Sequence, residues 1–281
     1  HINLYVALGI KSRACLAEGD WDGAFKAAKR VIDEGGYAVG TKSDLTGGMN
    51  SLDKQNVMWG AGIQVADQAG GYAGFFTHMD NKEGAYAKSA PKLISKQLYN
   101  RISATDIRRD WWDPSDKESP YVSKKFSFAN VASFLGDYIY MRVEEMYFTA
   151  AEAALRLDDL KSARELMNTV MAERDPGYSA NNRSGTLLGA TTMTWTGSFL
   201  ENILTHRRIE LWGEYGRLFD VRRLGQGIDR RTDDGFSEEC ISMMNRRNVN
   251  ITKADTYDWV LTIPKAELDA NPNINEEDQN P

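Results

Sequence analysis

The sequence runs to 281 residues, 42% apolar and 26% charged, too apolar for a disordered chain and too long for a disulfide-built mini-domain. No stretch approaches the roughly 18 consecutive apolar residues of a membrane-spanning helix. With 34 basic against 40 acidic side chains the net charge is −6, the wrong sign for a phosphate-tracking protein, so nucleic acid is not an expected partner.

The chain opens at His1-Ile2-Asn3-Leu4-Tyr5 with no initiator Met, signal peptide or capping residue ahead of a helical stripe. It therefore reads as the C-terminal portion of a longer protein. Leu4, Leu8, Ser12, Cys15 and Leu16 recur at three- and four-residue spacing, which predicts an amphipathic helix. Gly19 interrupts it and Asp20 is placed to cap a second helix along Trp21, Ala24, Ala28, Val31 and Ile32, which Gly35-Gly36 stops. The same script returns as Val143, Tyr147, Ala151, Ala154 and Leu155, then Asp159, then Leu160, Ala163, Met167, Val170 and Met171. Leu4 and Val143, Asp20 and Asp159, Ile32 and Met171 are each 139 positions apart. Two helical hairpins in one register predict a tetratricopeptide-like repeat, although no Pro closes either unit. Two unrelated hairpins are the alternative.

Between the hairpins the text is different. Gln55–Trp59 reads as a strand, and 67–87 is rich in glycine and in aromatics, with Tyr72, Phe75, Phe76 and Tyr86. Lys92–Asn100 predicts a short helix, Asp106–Pro114 a charged aromatic turn carrying Trp111-Trp112, and Tyr121–Phe128 a strand. A loop-heavy insertion is where a helical scaffold carries its function. A polar loop (175–198) then precedes a helix from Phe199, and the tail from 225 reads as irregular. The predicted architecture is mainly α: a hairpin at 1–36, a loop-rich binding insertion at 37–135, a hairpin at 136–175, a helix with an Arg/Glu network at 199–224, and an irregular C-terminal cap at 225–281.

Catalytic constellations are missing from this text. There is no GxSxG elbow, no HExxH and no Cys/His cluster, so no metal or cofactor is expected. Cys15 and Cys240 have no paired spacing and read as free buried thiols, with a disulfide between them as the alternative. Glu210 and Glu214, one helical turn apart, are the carboxylate pair a glycosidase would need, but Arg207, Arg208 and Arg217 lie beside them in the sequence. Nearby cations hold carboxylates ionised, which removes the general acid. Arg207 falls on the apolar face with Ile203, Leu204 and Leu211 and must be paired if buried. Arg207, Glu210, Glu214, Arg217 and Asp220 are thus assigned to structural salt bridges rather than to bond cleavage.

Arg142-Val143-Glu144-Glu145-Met146-Tyr147-Phe148-Thr149-Ala150-Ala151-Glu152-Ala153 resembles the R-x-x-E-M-Y-L-x-x-A-E-A helix of the RagB/SusD family. The stretch from His206 to Arg223 is similar to its E-R-R-x-E-L-x-G-E-G-x-R-x-x-D-x-x-R segment, with His206 in place of the usual Glu and Tyr215 in place of the usual Gly. Asp106-x-Arg108 occupies the place of its D-x-R element, and Ile263-Pro264, Asn271-Pro272 and Gln279-Asn280-Pro281 that of its closing motif. The resemblance implies a surface-exposed outer-membrane lipoprotein, its lipid anchor absent from this sequence, that captures oligosaccharide or polysaccharide for a SusC-like TonB-dependent transporter. It assigns no ligand residues, because those vary within the family.

Sugar binding needs flat aromatic faces for C–H surfaces and amide, carboxylate or guanidinium groups for hydroxyls. The 67–87 stretch supplies Asp67, Gln68, Tyr72, Phe75, Phe76, His78, Asn81 and Tyr86, and the charged turn supplies Trp111 and Trp112. Trp59, Trp21 and Trp212 read as core, and Trp195 as a weaker surface candidate. An interaction scaffold without sugar binding and a glycoside hydrolase remain the alternative readings.

Overall fold

The computed structural model describes residues 2–65, 74–192, 194–228 and 262–279. Helix α1 spans Leu4–Glu18 and α2 spans Trp21–Glu34. Contrary to expectation, α1 does have a cap, since the Asn3 side chain accepts from Val6 N at 2.9 Å. Its inward stripe is Val6, Gly9, Ser12, Cys15 and Leu16, while Leu4 is exposed. Asp20 caps α2 through Gly23 N. The outer face of α2 carries the i,i+4 pairs Asp22–Lys26, Lys29–Asp33 and Arg30–Glu34, which suit a solvated surface and contribute little stability.

The insertion begins with α3 (Lys42–Thr46) and β1 (Val57–Ala61), followed by α4 (Phe75–Met79), α5 (Ala85–Ser89) and α6 (Lys96–Tyr99). A 3-10 turn at Ile107–Trp111 runs into β2 (Trp112–Asp113), which pairs with β3 (Val122–Ser123). The strand expected over Tyr121–Phe128 is thus only two residues long. β4 (Tyr138–Arg142), unforeseen in the sequence, pairs antiparallel with β1 through an irregular register that sets Trp59 opposite Met141. It leads without a break into α7 (Val143–Arg156), which is followed by α8 (Leu160–Ala172), α9 (Phe199–Glu210) and α10 (Arg217–Arg223). A last helix, α11, spans Lys265–Ala270.

The fold is mainly α, and the repeat holds in three dimensions. Asp159 caps α8 through Ser162 N, as Asp20 caps α2. The turn residue before each cap is left-handed, Gly19 at φ +79° and Asp158 at φ +62°. Both are small enough or polar enough to tolerate that region. The hairpins stack through α2 and α7, because Ala24, Ala27 and Ala28 face outwards from one helix and Ala150, Ala151 and Ala154 from the other, all buried. Small side chains on both partners let the axes approach closely. α7 is the centre of this core and is buried on nearly every side, including Glu144, Glu145 and Glu152. Those three carboxylates must find cations.

The insertion is not a loose platform on this scaffold. It has its own core of Leu45, Phe76, Ile94, Leu98, Trp111, Trp112 and Phe126, closed by Ile209 from α9. Cys15 is a free, buried thiol, and Cys240 lies outside the described residues.

Candidate functional site

The sequence motifs converge on a buried ionic network. Arg108, Arg142, Arg174 and Arg207 are each 2% exposed or less. Glu210 accepts from Arg108 Nη1 at 3.1 Å, from Arg142 Nη1 at 3.0 Å, and from Arg174 Nε and Nη2 at 2.9 and 3.0 Å. Glu214 takes a fork of two bonds from Arg142, both 2.8 Å, and one from Lys125 Nζ at 2.6 Å. Asp106 holds Arg108, and Glu144 holds Arg142 and Arg174. Four cations therefore face four carboxylates, which is how a fold tolerates so many buried charges. Burial alone would raise the Glu210 carboxyl, but Arg174, Arg142 and Arg108 outweigh it and hold it well below the carboxylate range. Arg142 and Lys125 likewise outweigh burial at Glu214. Neither group can deliver a proton near neutral pH, so the pair lacks the acid of a glycosidase.

A second branch surrounds Arg207, which binds Asp220 at 3.0 Å and lies 3.7 Å from Glu145. Its burial agrees with its helical phase, but its partners are not Glu210 or Glu214. Arg223 takes the place foreseen for Arg217, bridging Asp220 and Glu152. Arg217 forms no ion pair within 4 Å among the described residues. Asp220 lies three positions before Arg223 and one turn from Gly216, so the pair meets on one face of α10.

His206, where the resembling family has Glu, faces the same network. Its Nδ1 lies 2.9 Å from Arg108 Nη2, which makes that nitrogen the acceptor and the ring neutral. Burial first, then Arg108, pushes its pKa well below 6.5. The unfolded chain takes up this proton near 6.5 and the folded one does not. Stability should therefore fall as pH drops below about 6.5, by up to roughly 1.4 kcal/mol per unit. Thermal midpoints at pH 7.5 and 5.5 check this, and His206→Gln should shrink the difference between them.

The structure scatters the aromatic residues singled out in the sequence. Asp67, Gln68 and Tyr72 lie outside the described residues. Phe76, Trp111 and Trp112 are 2%, 3% and 1% exposed and have no face to offer a ligand. Trp111 spends its indole N–H on Leu45 O at 3.0 Å. These three are core residues because of the rings they pack on, Phe76 on Phe75, Phe128 and Tyr138, and Trp112 on Trp111 and on Trp212 after α9. Asn81 is a clamp, accepting from Lys92 N and donating to Ser123 O. His78 and Tyr86 are exposed but stacked on each other at 4.5 Å, 2° from parallel.

Phe75 alone of the described candidates lines an aromatic cavity, of about 410 Å³. The other walls were not foreseen: Trp59 from β1, Tyr138 and Tyr140 from β4, Tyr215 before α10, and Arg13 from α1. Trp59, expected in the core, is only half-buried and sits edge to face with Tyr140, centroids 5.2 Å apart. The Arg13 guanidinium lies 3.7 Å above the Tyr215 ring, while its Nε and Nη2 donate to Glu145 at 2.8 and 2.7 Å. Glu214 borders the cavity with its charge already met. Burial raises the Tyr215 phenol, so it stays a neutral hydroxyl. The alternation Tyr138-x-Tyr140 was the available sequence signal, since residues two apart share a strand face. Flat rings with fixed charged groups at the margin suit an amphipathic ring bearing hydroxyls. Among the described residues no group of three or more His, Cys, Asp or Glu could hold a metal ion, and no helix is long and apolar enough to cross a membrane.

The model of the SusD family matches residues 119–281. A SusD-like carbohydrate binding protein from Bacteroides vulgatus is 28% identical, covering 82% of this chain and 47% of its own, with TM-score 0.65. A SusD superfamily protein from Bacteroides thetaiotaomicron is 24% identical over 100% of this chain and 61% of its own, with TM-score 0.75. Surface glycan-binding protein A from Bacteroides uniformis is 18% identical over 98% and 60%, with TM-score 0.59. The chain thus spans about half to three fifths of the length of these solved structures. No curated protein matches the sequence.

Proposed function

The chain belongs to the SusD family, and on that premise we propose that it is a cell-surface glycan-binding protein, not an enzyme. It passes oligosaccharide to a SusC-like TonB-dependent transporter in the outer membrane, to which a lipid anchor tethers it. The hairpins at 1–36 and 136–175 are its scaffold, and the insertion at 37–135 contributes Trp59 and Phe75 to the binding wall. The observation that carries this reading is the cavity lined by Trp59, Phe75, Tyr138, Tyr140 and Tyr215, whose rings match the apolar faces of sugars. The carbohydrate-binding relative at 28% identity supports the ligand class.

The cavity is open on one side, so affinity is expected to be modest, with Kd between about 0.01 and 1 mM. Affinity electrophoresis against soluble starch, xylan, mannan and pectin should retard the wild-type chain in at least one gel. Tyr140→Ala, at a ring 42% exposed, and Tyr215→Ala should weaken that retention about thirtyfold, the loss of roughly 2 kcal/mol, with circular dichroism unchanged. Equal retention of both variants would move the site elsewhere. Release of reducing ends from the retarding polysaccharide would overturn the binding-only reading, and no retardation in any gel would favour a protein-interaction scaffold.

A further inference from the structure

The loop between α8 and α9 carries Trp195, a ring 44% exposed and absent from the cavity walls. Core tryptophans pack on apolar neighbours, but here the Arg101 guanidinium lies over the ring, 4.2 Å from its centroid. One face is thus backed by a planar cation, and the exposed part of the indole is the remainder. The loop that presents it is braced on both sides. Before the ring, Thr192 N donates to Gly227 O at 2.9 Å and Gly227 N to Ala190 O at 2.9 Å. After it, Thr196 Oγ1 and Gly197 N donate to Glu201 at 2.8 and 3.1 Å.

Ties of this kind on either side of an exposed ring lower the ordering cost of binding. We infer that Trp195 and Arg101 form a second saccharide-stacking subsite, separate from the aromatic cavity, which deepens and rests on the glycan reading above. The occupant is a single sugar ring. Its C–H face is about the size of the indole, and the Arg101 guanidinium over the ring and the exposed Thr194 next to it in the chain are groups of the right chemistry for its hydroxyls. Leu187 and Trp195 are the large exposed apolar side chains among the loop's described residues. That is too little for a protein partner, whose interface buries on the order of 1,000 Å² or more.

The test uses the full chain with its seven tryptophans labelled with nitrogen-15. The indole N–H signals of Trp59 and Trp195 are assigned by their loss in Trp59→Phe and Trp195→Phe. Maltoheptaose, xylohexaose, mannohexaose and trigalacturonic acid are the probes, each titrated to about 10 mM, which covers a Kd of about 1–10 mM. The Trp195 signal should shift saturably with at least one probe, in the wild type and equally in Tyr140→Ala. If a probe moves Trp59 but none moves Trp195, the second subsite is overturned and the cavity reading stands. If Trp195 moves in the wild type but not in Tyr140→Ala, its shift was relayed from the cavity and the separate subsite is overturned. If neither signal moves with any probe, both readings fail together.

Discussion

Glu210→Ala should lower stability by about 3–5 kcal/mol, because it leaves Arg108, Arg142 and Arg174 fully buried without a shared partner. In a chain of this size that corresponds to a fall in Tm on the order of 10 °C. Glu210 is held far below its ordinary carboxylate value, so the folded state binds fewer protons than the unfolded one in acid. The stabilisation is complete above about pH 4.5 and is lost as pH falls further. Glu210→Ala should accordingly flatten the acid limb of a Tm-against-pH curve as well as lower its plateau. Glu165, in an exposed pair with Lys161, is the control, and its alanine variant should melt with the wild type. A Glu210→Ala midpoint within a degree or two of wild type would mean that the three guanidiniums reach water.

Trp112→Ala is expected to cost about 3–5 kcal/mol, the range for truncating a large ring in a packed core. Trp112 is 1% exposed, with Trp111 and Trp212 packed edge to face against it, centroids 5.8 Å away in each case. Its loss opens a hole that three elements share, so the whole insertion should loosen. Thermal melts distinguish this from a ligand-contact role. A Trp112→Ala variant that melts normally but no longer binds polysaccharide would return this ring to the binding surface.

The two hairpins were legible because helices write their faces locally. A stripe at three- and four-residue spacing, a capping Asp and a glycine stop are all short-range signals, and the offset of 139 exposed their kinship. The burial of Arg207 followed from the same phase argument. Its partners did not, because Glu145 comes from a helix some sixty residues earlier and the choice of Arg223 over Arg217 depends on how α10 turns after Gly216. The insertion was read least well. Composition shows that 67–128 is rich in rings but not which way they face, and Phe76 is covered by Phe128 and Tyr138, some fifty to sixty positions on, and Trp112 by Trp212, a hundred positions on. β4 was missed because Tyr138–Arg142 runs straight into α7 with no turn residue between them. With that strand went two walls of the cavity, Tyr138 and Tyr140.

The stacking of α2 on α7 keeps the two ends of the insertion close together, so the scaffold by itself would accept a transplanted segment of different length or shape. The ionic network restricts that freedom. Asp106, Arg108 and Lys125 belong to the insertion, yet they complete the charge balance of Glu210 and Glu214, which belong to the scaffold. Exchanging 37–135 for an unrelated loop would strip Arg108 from Glu210, which is fully buried, and Lys125 from Glu214, which is largely so. A graft needs an equivalent Asp-x-Arg and a lysine at these places, together with apolar side chains that pack on Ile209 and Trp212. The buried charges act as a lock that checks the identity of the incoming segment, and only Glu214 among them reaches the cavity wall.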